Sequence, residues 1–218
     1  MTLPGPLAAT RRALHGVAEL LVAGPQYRAT GTMRLAVRPG GFGTTRTYGE
    51  VELVAVAGTD LVVARGATTR RIQLAGTCAE LGAAAGLEPG GLAGAYADSS
   101  GVSPDEPLAV DPGAAALLAA AWAAGDAALR TLAGDGGPEP VLWPEHFDVG
   151  VTLDAVNYGV SPGDSYLPEP YAYVGPHVPR TGPFWNAPFG AAQPLGALGG
   201  EVEVLAFFAQ GRALAGSG

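Results

Sequence analysis

The run DPGAAALLAAAWAAGDAALRTLA, from Asp111 to Ala133, decides the fold. Aspartate is a good N-cap, and proline suits the first helical position because its missing N–H has no partner to lose there. The spacing predicts a helix over 112–133 that is apolar on nearly every face, with Asp126 and Arg130 paired one turn apart. Such a helix has to be buried, and the strand-like runs on either side of it supply the surface. The expected class is therefore α+β, two antiparallel β meanders packed with helices around a buried Ala/Leu-rich central helix. The apolar run Gly113 to Gly125 is 13 residues long, short of the roughly 20 a membrane span needs.

N-terminal to this run, residues 88–111 hold seven Gly and Pro residues and no sustained period, so they read as a loop. Before it, Leu7, Leu14, Val17, Leu20 and Leu21 recur at helical spacing up to Gly24-Pro25, which reads as a helix stop. Residues 32–74 alternate as an antiparallel meander, with Gly40 to Gly43 as a turn. Thr77-Cys78-Ala79-Glu80 matches a capping box opening a helix that ends at Gly86. C-terminal to the run, strands are expected over 147–153, 156–160 and 171–174, and a last helix over 201–214. The chain thus reads as one compact domain, 1–218, with halves of about 1–87 and 112–218. Helix, meander, helix occurs twice, without a residue-level repeat.

Composition excludes several functions. Among 218 residues there is no lysine, and the net charge is −8, which opposes nucleic-acid binding and removes the Schiff-base, pyridoxal and P-loop lysines. No nucleotide or iron–sulfur signature is present, and the cofactor is unknown. A single cysteine, Cys78, excludes an internal disulfide framework and fits a reducing cytoplasm. Arg11-Arg12 only faintly resembles a twin-arginine export signal. No membrane partner is expected, and nothing opposes a homo-oligomer.

Chemistry-bearing residues concentrate between Trp143 and Phe189, where 47 residues hold nine of the sixteen aromatics and two of the three histidines. Were Glu145 to Leu153 one strand, alternation would set His146, Asp148, Gly150 and Thr152 on one face. The same rule groups Glu169, Tyr171 and Tyr173. The candidate binding residues are accordingly Trp143, His146, Asp148, Asn157, Tyr171, Tyr173, Trp185 and Asn186, lining an aromatic pocket. His146, Asp148 and His177 are the minimum set for a metal, although the prolines around His177 fix its position and oppose a shared ion. Weaker patterns have plain alternatives. Ala97 to Gly101 echoes a nucleophile elbow without the strand and helix it needs. Cys78 suits a buried small residue better than a nucleophile, and Gly40 to Thr44 suits a hairpin better than a phosphate loop.

The runs WPEHFD from Trp143, NYGVSPGD from Asn157 and PEPYAYV from Pro168, with GTMRLAVRPGGF from Gly31, resemble an uncharacterised actinobacterial family, a domain of unknown function. That resemblance implies no activity, cofactor or substrate. The leading expectation is a soluble protein that binds a small molecule in the C-terminal half, with catalytic residues unknown. The alternatives are a metal-dependent or acid/base enzyme using His146, Asp148 and His177, and a structural or interaction module.

Overall fold

The structure, a computed structural model, describes residues 5–92, 94–96 and 99–216. Among these it contains helices and ten strands, every neighbouring pair for which a register is defined being antiparallel, so the protein is α+β. Contacts group the chain into two compact units, Met1–Ala120 with Leu142–Phe147, and Ala121–Val141 with Asp148–Gly218. The division falls inside the long helix, not in residues 88–111.

In the first unit, helix α1 (Pro6–Val17) passes into a π-helical segment, Ala18–Ala23, and then into α2 (Gly24–Thr30), which ends on Gly31 at φ 75°. Gly24-Pro25 therefore does not stop the helix. Proline has no N–H to donate and crowds the carbonyl four residues back, and the wider π turn relieves both conditions. Gly24 N–H bonds Glu19 O, and the Leu20 carbonyl takes the Gly90 N–H at 3.0 Å. A Cβ on Gly24 would lie 1.8 Å from Gly90 O, so only glycine fits.

The sheet of this unit runs β6-β1-β2-β3-β4-β5, from β1 (Leu35–Arg38), β2 (Gly41–Thr44), β3 (Leu53–Ala57), β4 (Asp60–Arg65), β5 (Thr68–Gln73) and β6 (Val141–Trp143). The expected turn at Gly40 to Gly43 is mostly strand. Its glycines are needed because a Cβ on Gly41 would meet Val56 O at 2.5 Å and one on Gly43 would meet Ala55 Cβ at 2.9 Å. Phe42 between them is fully buried. Helix α3 (Cys78–Ala85) has both halves of the Thr77/Glu80 capping box and ends on Gly86.

Helix α4 (Pro112–Ala133) starts where the sequence says, with Asp111 Oδ1 accepting the Ala114 N–H at 2.8 Å. It is not buried all round. Leu118, Trp122 and Leu129 on one stripe have no exposure, while Leu117 is 51% exposed and Ala116, Ala120 and Ala123 face solvent. Alanine tolerates both settings, so composition does not reveal the wet face. The 13-residue argument against a span also fails, since the helix is 22 residues and apolar enough, by length and composition, to cross a membrane. Its buried stripe packs within the protein, and Asp126 pairs with Arg130 at 2.7 Å.

The second unit carries the order β7-β8-β9-β10, from β7 (Asp148–Leu153), β8 (Val156–Ser161), β9 (Tyr171–Pro176) and β10 (Ala191–Pro194). Two helices lie on it with glycines at the contacts. Gly125 of α4 abuts Val149 and Val160, and Gly211 of α6 (Glu201–Gly216) abuts Val174. Between them in sequence, α5 (Leu195–Leu198) is a single turn. The β7–β8 hairpin turns on Asp154 and Ala155 at φ 51° and 59°, a left-handed pair that asparagine and glycine usually supply.

Candidate functional site

The eight binding candidates fall into separate groups. Trp143 and His146 belong to the first unit, where the Arg34 guanidinium lies 5.6 Å from the Trp143 ring centroid. His146 is exposed and sits in a turn, because Phe147 takes φ 57° and ends the alternation on which its pairing with Asp148 rests. In the second unit Asp148, Tyr171 and Tyr173 do come together. The Tyr173 hydroxyl donates to Asp148 Oδ2 and the Tyr171 hydroxyl to Asp164 Oδ2 at 2.6 Å. Burial first, then the neighbouring carboxylates, pushes both phenols up from their usual value, so both remain hydroxyls.

Tyr171, Tyr173, Tyr166 and Phe189 pack ring against ring at 5.1–6.4 Å. Tyr173 lies across a bare strip of sheet, since Gly159 is its direct partner on β8 and Gly150 is the partner of Gly159 on β7. A Cβ on Gly159 would come within 2.4 Å of the Tyr173 hydroxyl oxygen. Within this cluster the rings pack against one another.

The other candidates brace the fold. Asn186 accepts the Ala192 N–H at 2.9 Å and donates to its carbonyl at 3.1 Å, clamping β10. Trp185 packs edge-on to Phe184. Asn157 Oδ1 accepts from Thr152 at 2.8 Å and lies 3.2 Å from His177 Nε2. Among the described residues no three His, Cys, Asp or Glu side chains are grouped to hold a metal ion.

Sequence reasoning missed two places. The first is Glu19, buried in the π segment. Its carboxyl group accepts the Tyr96 hydroxyl at 2.7 Å, the Ser100 N–H at 3.0 Å and the Ser100 hydroxyl. One helical turn earlier, His15 Nε2 lies 2.6 Å from Pro144 O and 3.9 Å from Glu19 Oε1, and its ring stacks on Phe147. A carbonyl can only accept, so Nε2 carries the proton. Burial depresses the His15 pKa, Glu19 and the Pro144 carbonyl oppose that, and His146 and Arg12 add to it. A charged residue inside an apolar helical run was the available signal. Ser100 of the apparent nucleophile elbow is a structural donor here, while Ala97 and Asp98 lie outside the described residues. Cys78 is buried, and burial pushes its thiol up to about 11, which leaves little thiolate for attack.

The second place is a cavity of about 340 Å³ in the second unit, beside the Asp154–Ala155 hairpin. Its lining includes Val156, Tyr158, Pro176, Val178, Arg180 and Arg212, and none of the eight candidates. Arg212 donates to Asp154 at 2.8 Å and to Leu132 O at 3.1 Å, and Arg180 donates to Ala215 O at 2.6 Å. Among the described residues the buried Tyr158 hydroxyl and Arg180 Nε have no hydrogen-bond partner. Burial, the largest influence, raises the Tyr158 pKa and keeps the group a hydroxyl. The lining comes from stretches 154–158, 176–180 and 212–216, a combination that no local sequence pattern announces.

No protein-family model, curated protein or solved structure matches the chain. The site is therefore read from its own chemistry.

Proposed function

We propose that this protein binds a small molecule in its C-terminal half, at the cavity beside the Asp154–Ala155 hairpin and not at the tyrosine cluster. The cavity itself carries the reading: about 340 Å³ lies in the roughly 300–1,000 Å³ range of small-ligand sites, and it pairs apolar walls with a few polar groups. The tyrosine cluster supports the choice by default, since Tyr173 and Phe189 occupy the space that the aromatic-pocket expectation reserved for a ligand. A cytoplasmic setting belongs to the same reading, supported by the single buried Cys78. So does membership of the uncharacterised actinobacterial family, which rests on the WPEHFD, NYGVSPGD, PEPYAYV and GTMRLAVRPGGF runs and adds no ligand. The test is a fragment titration of isotope-labelled protein, followed through the amide resonances of Asp154, Ala155 and Val156. Saturable shifts confined to the hairpin and its neighbours are expected. A fragment set that binds elsewhere, or leaves those resonances unmoved, removes this reading.

A further inference from the structure

The lining of the cavity has an unshared positive charge. Guanidinium groups stay protonated at any working pH. Arg212 has the Asp154 carboxylate as its partner, whereas among the described residues Arg180 has no carboxylate within ion-pair distance and is held by a backbone carbonyl. Two cations against one anion leave one charge over.

Two residues of the lining also carry a buried donor that has no acceptor among the described residues. A buried N–H or O–H left without an acceptor is costly, and the two residues that carry these groups, Arg180 at Nε and Tyr158 at its hydroxyl, both line one cavity. Arginine offers its donors in a flat fork that matches the two oxygens of a carboxylate. Tyrosine adds a neutral donor. The remaining walls, Val156, Pro176 and Val178, are apolar and would cover a hydrocarbon body.

Resting on the small-molecule reading above, we infer that the ligand is a monoanionic organic acid: a carboxylate received by Arg180 and Tyr158, with an apolar remainder against Val156, Pro176 and Val178. A single unshared charge favours one carboxylate over a doubly charged phosphate. Arg212 serves as a positioning residue, tying the hairpin turn to α6 through Asp154.

The experiment titrates the folded full chain, at constant ionic strength in chloride, with sodium benzoate, benzyl alcohol and inorganic phosphate in parallel. Binding is read by calorimetry and by the amide shifts of the hairpin. Benzoate is expected to saturate the site and to bind at least about tenfold more tightly than benzyl alcohol, the margin that a charge-assisted bond contributes. Arg180→Gln should abolish that preference, and Tyr158→Phe should reduce benzoate affinity a few-fold while leaving benzyl alcohol unaffected. Equal binding of the acid and the alcohol overturns the anion assignment and leaves the small-molecule reading standing. Phosphate binding more tightly than benzoate overturns the carboxylate assignment. Silence from all three probes at the hairpin overturns the inference, while the broader fragment titration still decides the reading beneath it. If Arg180→Gln does not fold, the comparison of acid with alcohol on the unaltered chain still decides the matter.

Discussion

Glu19 and Tyr158 are both buried polar residues, and their surroundings treat them in opposite ways. Around Glu19 a hydroxyl, an amide and a second hydroxyl all point at one carboxyl group, so Tyr96, Ser100 and Glu19 answer one another. Among the described residues the Tyr158 hydroxyl and Arg180 Nε, on two residues that line the cavity, have no hydrogen-bond partner. A closed polar cluster fixes the fold, because every member loses if one is removed. An open one carries a cost that an acceptor from outside can offset. Burial alone therefore does not mark a functional site, and it is the unanswered donors beside the cavity on which the proposed site rests.

The largest expected effect is at the closed cluster. Glu19→Ala leaves three half-buried donors without their acceptor and should cost about 3 kcal/mol, read as a lower urea midpoint with an unchanged slope. A loss under about 1 kcal/mol would show that the cluster is not the anchor described. The two tyrosines then make a matched pair. Tyr96→Phe, which removes a bond to a carboxyl group, should cost about 1.5 kcal/mol. Tyr158→Phe should change stability by less than about 0.5 kcal/mol in either direction, since no bond is lost. Equal losses in the two variants would erase the contrast.

Next comes the hairpin that borders the cavity. Ala155 at φ 59° is left-handed, and its carbonyl accepts the His177 N–H, so Ala155→Gly should stabilise by about 1 kcal/mol. Thermal melting checks this, and a destabilised variant would mean that the alanine methyl contributes packing there.

The smallest effect concerns pH. The folded His15 pKa lies below the ordinary imidazole value of 6.5, with burial as the main cause. As pH falls below that value, the unfolded chain takes up a proton that the folded chain resists. Stability should therefore fall with pH through this window and be fully present above it. His15→Gln should flatten that slope relative to the unaltered chain, as measured by urea midpoints at pH 5, 6 and 7. An unchanged slope would assign the acid sensitivity to other groups.

Elements whose chemistry is local were legible in the sequence. Asp111-Pro112 and Thr77/Glu80 specify helix starts through their own side chains, and strand alternation correctly put Tyr171 beside Tyr173. Where a residue's role depends on something distant, the reading failed. Gly41 and Gly43 looked like a turn because the close approach of β3 is invisible in one dimension, and Gly24-Pro25 looked like a stop because the π turn is not written locally. His146 lost its assigned face to a single backbone angle at Phe147. Arg180 and Arg212 belong to no local pattern, since only the fold brings the loop after β9 and α6 to one cavity.

The row Gly150, Gly159, Tyr173, continued by Ala192 on β10, also constrains how the sheet is assembled. A strand that slips by one residue turns its apolar side chains outward, an error the core itself rejects. A slip of two keeps the faces correct and is harder to detect. Here it would bring Asn157 or Ser161 to the position of Gly159, under a tyrosine ring that tolerates no side chain beneath it. One aromatic residue lying on two glycines thus proofreads the alignment of three strands, admitting a single pairing and expelling its nearest imitation.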